Sequence, residues 1–128
     1  MRVIIYGVGA IGGVIAVRLA RSGHAVIGIA RGKQLEAIRE RGLTLRTPEG
    51  TEVAHFPIHA DPSEIAFTED DVILLTMNSQ DTGSALERLK LAGVVSQPIV
   101  CFQNGLSVFT QVDQVTVTGS VGSGISGL

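Results

Sequence analysis

"RVIIYGVGAIGG", residues 2–13, decides how this chain is read. "RVIIY" (2–6) is an apolar run rich in β-branched residues, the pattern of a strand buried on both faces. It breaks into Gly7, Gly9 and Gly12, a G-x-G-x-x-G, where a helix pattern starts. In "AIGGVIAVRLARSG" (10–23), Ile11, Val14, Ile15, Ala16, Leu19 and Ala20 form one apolar stripe, with Arg18 and Arg21 off it. Gly23 is placed to cap the helix. In a strand–loop–helix of this kind the first glycine permits a tight turn. The second lets a pyrophosphate approach the backbone, and the third lets helix and strand pack closely. The helix start, with Ala10 and Ile11 in its first turn, offers unpaired N–H groups and a partial positive charge to the anion. Gly7, Gly9, Ala10, Ile11 and Gly12 are therefore candidate cofactor-binding residues.

Working outward, "AVIGIA" (25–30) reads as a second buried strand and "KQLEAIRER" (33–41) as an amphipathic helix ended by Gly42. "LTLRT" (43–47) alternates and reads as a third strand of the same parallel sheet, joined by right-handed crossovers. Residues 51–68 read as a hairpin and loop. "DVILLTM" (71–77) is then a strand, "DTGSALERLKLAG" (81–93) a helix, "PIVCFQ" (98–103) a strand and "VTVTG" (115–119) one more short strand. The expected fold is α/β, a Rossmann-type, doubly wound, mainly parallel sheet with helices on both faces. The binding domain spans 1–118. Residues 119–128 hold seven Gly or Ser in ten and read as a flexible tail.

The cofactor follows from the end of the second strand. An NAD-binding domain holds the ribose 2′-hydroxyl there with Asp or Glu. This chain has "GIARGK" instead, so Arg31 faces that position with Lys33 nearby. A guanidinium pairs with a 2′-phosphate, and a hydrogen bond to a charged group contributes roughly 1.5–3 kcal/mol, a ten- to hundredfold preference. The expectation is NADP(H); the alternative for Arg31 is a solvated surface side chain. Ligands of such sheets sit beyond the carboxyl ends of the strands, where the fourth and fifth strands end in "TMNSQ" (76–80) and "QNG" (103–105). Asn78, Gln103 and Asn104 join the candidate set, with both Asn residues towards the nicotinamide. The alternative for each Asn is a turn residue bonded to local backbone.

Composition bounds the rest. At 128 residues, 45% hydrophobic and 17% charged, the chain is one ordinary globular domain with a net charge of −2. Residues 1–50 carry a net +5 and residues 51–128 a net −7, which puts an anion site in the first half. "RGKQLEAIRERG" (31–42) intersperses Glu36 and Glu40 and lacks aromatics, which argues against a nucleic-acid surface. No membrane span and no signal peptide are recognisable, and a cytoplasmic location is expected. Cys101, the single cysteine, sits in apolar "IVCF" and reads as a buried thiol. His55 and His59 have helical metal spacing, but Pro57 between them argues against a helix, so no metal is expected. "TEDD" (68–71) reads as an acidic, solvated turn, and Tyr6 as part of a buried strand.

"GVGAIGG" (7–13), "ARGKQLEAIRERGLTLRTPEG" (30–50), "NSQDT" (78–82) and "QNGL" (103–106) together resemble the amino-terminal domain of the ketopantoate reductases, or 2-dehydropantoate 2-reductases. The likeness runs from about residue 1 to 108. It implies NADPH-dependent hydride transfer to the 2-keto carbonyl of ketopantoate, on the way to pantothenate. It also implies that the glycines hold the pyrophosphate, Arg31 the 2′-phosphate, and Asn104 the nicotinamide and substrate as the catalytic-site residue. Two departures stand out. Asn78 replaces a lysine common in the family, and the family's helical second domain, which supplies a catalytic lysine and an acidic substrate ligand, is absent from this chain. Lys33 and Lys90 lie away from the expected reaction centre. The expected partner is thus a small 2-keto acid, engaged with that other domain, and self-association of an uncovered surface is plausible. The competing function is a regulatory nucleotide-sensing domain, which usually carries an acidic residue where Arg31 stands.

Overall fold

The computed structural model describes residues 1–77, 81–102, 106–109 and 116–119. Strand β1 (Arg2–Tyr6) lies between two parallel neighbours, β2 (Ala25–Ile29) and β6 (Asp71–Leu75), with Tyr6 opposite both Ile29 and Leu75. Its apolar run is explained by that position. Val3 and Ile5 point into one core cluster with Ile15, Ala16 and Leu19 of helix α1 (Ala10–Arg21) and Ile38 of α2 (Gly32–Arg41). Ile4 points into the other, with Ala85 and Leu89 of α3 (Thr82–Leu91). Helices therefore cover both faces of the sheet, as a doubly wound fold requires.

The strand order is β5-β2-β1-β6-β7-β8-β9, where β5 is Ile58–His59 and β7 is Ile99–Phe102. The first five are parallel; β8 (Leu106–Phe109) and β9 (Thr116–Gly119) extend the sheet antiparallel. The chain winds from β1 outward to β5, then returns to β6 on the other side of β1. That reversal opens a crevice between β1 and β6 at their carboxyl ends. Strand β8 has no counterpart in the sequence reading. β9 lies where a last short strand was expected. Of the expected 119–128 tail, only Gly119 falls within the described residues.

Three expectations are corrected. Residues 43–47 form a strand, β3, but outside the parallel sheet: β3 pairs antiparallel with β4 (Gly50–Ala54) in a separate two-stranded sheet. The third parallel position is filled by the two-residue β5. The alternation of β3 marks a half-exposed ribbon, whereas the parallel strands are continuously apolar. Arg18 and Arg21 of α1 both reach Glu52 of β4 at 3.2 Å, holding this ribbon against the helix.

The apolar stripe of α1 is rotated from the expected one. Ile15, Ala16, Val17 and Leu19 are buried, while Ile11 and Val14 are about 40% exposed. The third correction is Asp71, which is fully buried rather than part of a solvated turn. Arg2 grips it with two hydrogen bonds, Nε to Oδ1 and Nη2 to Oδ2, both 2.7 Å, and the Thr68 amide donates a third at 2.7 Å. Burial pushes the Asp71 carboxyl up, but the contacts from Arg2 and Thr68 outweigh it and hold the group below its ordinary value.

Candidate functional site

The glycine loop closes by short backbone bonds. The Gly7 amide donates to Ile29 O (2.9 Å), the Gly9 amide to Gly7 O (2.9 Å) and the Gly13 amide to Gly9 O (2.8 Å). Each glycine of the motif has a separate physical reason. Gly7 has φ +98°, and a Cβ there would lie 3.1 Å from Met77. A Cβ on Gly12 would lie 2.5 Å from both Gly7 O and Thr76 Oγ1, so Gly12 serves the packing of α1 on the strands. Gly9 is different. Its φ of −102° is not left-handed, although its ψ of −143° lies outside the common regions, and a Cβ there would meet no atom of the described residues within 4 Å. The protein's own packing does not ask for glycine at that position; a bound group would.

The loop borders an open cavity of about 640 Å³ at the carboxyl ends of the strands. Gly7, Gly9, Ile11 and Arg31 line it; Gly12 lies behind the loop and does not. Ala10 is the first residue of α1. Among the described residues no side chain caps this helix start, and no acidic residue occupies its first turn, leaving the amide groups and the dipole available to an anion. Arg31 is the N-cap of α2, in extended conformation and exposed, and among the described residues it makes no ion pair. Asn78, Gln103 and Asn104 lie outside the described residues, although Met77, next to Asn78, is on the cavity wall.

Tyr6, Asp61 and Arg88 line the cavity without having been singled out from sequence, and Thr76 lies in the stretch expected there. Thr76 donates its hydroxyl to Gly7 O at 2.6 Å, and its amide to Tyr6 O at 3.0 Å, tying β6 to the loop. Tyr6, the last residue of the buried strand β1, is half-buried and borders the cavity. Burial raises the pKa of its hydroxyl; Asp61 adds to this, while Arg88 and Arg31 oppose it. Asp61 and Arg88 meet in a 2.6 Å ion pair on the wall. Asp61 also caps a 3₁₀ turn (Pro62–Glu64) by accepting from the Ser63 amide at 3.0 Å. The Asp–Pro–Ser sequence signals that cap; nothing local signals the link to Arg88.

His59 Nδ1 lies 3.2 Å from Glu64 Oε1, away from the cavity lining. Lys33 and Lys90 are exposed on α2 and α3 and do not line the cavity. Among the described residues, no three His, Cys, Asp or Glu side chains are grouped to hold a metal ion, and no helix is long and apolar enough to cross a membrane.

The sequence model of the ketopantoate reductase PanE/ApbA family matches residues 3–127. The chain belongs to this family. It is 33% identical over 107 residues to the 2-dehydropantoate 2-reductase of Mesorhizobium japonicum, covering 83% of this chain and 32% of that protein. Its fold is similar to the crystal structure of a PanE/ApbA family ketopantoate reductase from Ralstonia eutropha JMP134. There the TM-score is 0.74 at 37% identity, over 82% of this chain and 35% of that one. A ternary structure of D-mandelate dehydrogenase with NADH and anilino(oxo)acetate also matches, with TM-score 0.69 and 25% identity, over 82% and 34% of the two chains. The chain thus spans about a third of the length of the ketopantoate reductases it matches.

Proposed function

We propose that this chain is the NADP(H)-holding domain of a ketopantoate-reductase-type enzyme. The reading rests on the glycine loop and Arg31 bordering one cavity, where Gly9 has a space beside it that no atom of the described residues fills. The pyrophosphate would rest on Gly9 and the start of α1, and Arg31 would hold the 2′-phosphate. A bound nicotinamide coenzyme supplies the hydride for a 2-keto carbonyl, with 2-dehydropantoate as the expected substrate. Asn104 and Asn78 would serve the nicotinamide end, with Gln103 a further cofactor-binding candidate. The rival coenzyme is NADH, which the D-mandelate dehydrogenase structure contains.

This chain's residues bind and orient. Gly7 and Thr76 fix the loop, Gly9 leaves room, and Arg31 discriminates. Reduction of a ketone also needs a proton donor within hydrogen-bond reach of the new alkoxide. Tyr6 is the phenol on the cavity, but its hydroxyl feels Asp61, Arg88 and Arg31, and Arg31 would mark the adenosine end. The proton would come from outside the described residues. Coenzyme binding without turnover of 2-dehydropantoate is therefore expected of this chain alone.

Titration with NADPH and NADH, followed by nicotinamide fluorescence, tests the reading. NADPH should bind at least about tenfold more tightly, and Arg31→Ala should lose that preference. Equal binding of the two, or an Arg31→Ala protein that keeps the preference, would overturn it. Steady turnover of 2-dehydropantoate would show that the chain holds its own acid.

A further inference from the structure

The same cavity carries a carboxylate that the coenzyme assignment has to reckon with. Strands β2 and β5 are neighbours, and the Ala30 amide donates to His59 O at 3.0 Å. Asp61 therefore follows β5 much as Arg31 follows β2, and both line the cavity. The cavity's other carboxylate, Asp81, is the N-cap of α3, seven residues before Arg88 on the same helix. Arg31, Asp61 and Arg88 all line this one cavity, and the Tyr6 hydroxyl on the same lining feels all three charges. A carboxylate next to the 2′ position normally disfavours a 2′-phosphate and accepts from a 2′-hydroxyl. Left alone, Asp61 would work against Arg31.

It is not left alone. Arg88 Nη1 lies 2.6 Å from Asp61 Oδ1. Hydrogen bonds from Ser63, and then from Arg88, keep the Asp61 carboxyl below its ordinary pKa, so it is ionised at neutral pH. The trio Arg31, Asp61 and Arg88 then presents one net positive charge. Without Arg88 it would present none.

We propose that Arg88, on α3, is a specificity-determining residue: by pairing with Asp61 it removes the charge that would otherwise repel a coenzyme 2′-phosphate at Arg31. This rests on the coenzyme reading above and deepens it. Arg88 acts through Asp61 and needs no contact with the coenzyme, so its effect falls on NADPH and spares NADH.

The test measures NADPH and NADH dissociation constants for the wild-type chain, Arg88→Met, Asp61→Asn and the double variant. Methionine keeps most of the Arg88 stem, and asparagine keeps an oxygen for the Ser63 amide. Arg88→Met should weaken NADPH about three- to fivefold, the scale of an exposed charge interaction, and leave NADH unchanged or tighter. Asp61→Asn should raise the NADPH-to-NADH preference, and the double variant should regain the NADPH affinity that Arg88→Met lost. Equal weakening of both coenzymes, or no recovery in the double variant, overturns the proposal while leaving the coenzyme site intact. If Arg88→Met does not fold, Asp61→Asn decides, because an unchanged preference there is equally fatal. A wild-type chain that binds neither coenzyme would instead sink the site itself.

Discussion

The Thr76 hydroxyl donates a 2.6 Å hydrogen bond to the carbonyl of Gly7, so the end of β6 is fastened to the turn that opens the glycine loop. The Gly7 carbonyl also accepts from the Gly9 amide, which makes it the point where strand and loop geometry are set together. Thr76→Val keeps the shape and removes the donor. We expect a loss of about 1 kcal/mol in stability and a fall in NADPH affinity of about fivefold. Thr76→Ser should retain both. Urea unfolding and fluorescence titration of the two variants check this.

Gly9 and Gly12 should behave oppositely when changed to alanine. At Gly12 the new methyl would sit 2.5 Å from Gly7 O and Thr76 Oγ1, so the helix must shift, costing about 1–3 kcal/mol. At Gly9 the methyl meets no atom of the described residues, and stability should stay within about 1 kcal/mol of wild type while coenzyme binding is lost. A Gly9→Ala chain that binds NADPH normally would show that no phosphate group approaches there.

The Arg2–Asp71 pair gives the fold a defined acid sensitivity. The folded-state pKa of Asp71 is held below its ordinary 3.8, so the native state takes up fewer protons than the unfolded one. The stabilisation is complete above the ordinary value and is lost as pH falls through the lowered folded value. Asp71→Asn should cost about 2–4 kcal/mol at pH 7, because it strips Arg2 of a buried partner. The gap between variant and wild type should close as the acid limit is approached. Denaturant melts at pH 7 and pH 3 measure it.

Cys101 is buried on the β7 face of the core, and burial pushes its thiol up to about 11. At pH 8 only about one thiol in a thousand would be ionised, and access is blocked as well. Thiol reagents should label the native chain only at the rate at which it unfolds. Fast labelling under native conditions would contradict the packing described for β7.

The sequence made the β1–loop–α1 unit legible because three signals coincide there: an apolar run, spaced glycines and a helical stripe. Arg31 was readable for the same reason, as the residue at a known offset from that unit. The misplacement of 43–47 came from reading rhythm without exposure. Leu43, Thr44 and Leu45 alternate, and alternation fits a two-stranded ribbon better than a buried parallel strand. β5 is two residues long, too short to leave a pattern. Asp71 and the Asp61–Arg88 pair were hidden by distance, since their partners lie 69 and 27 residues away. The position of Gly7, Gly9 and Arg31 on the cavity was legible because they are local, while Asp61 and Arg88 reach it only through strand order.

The bond between Arg2 and Asp71 also constrains how the chain assembles. β1 is made first, yet its second neighbour starts at residue 71. A nascent chain emerging from a ribosome must keep an almost entirely greasy segment waiting until residues 71–75 have been synthesised. Pairings that span such long stretches form slowly. A helper that shelters unfinished polypeptides would find its client in residues 2–6, and lengthening the 55–70 connection should prolong that vulnerable interval.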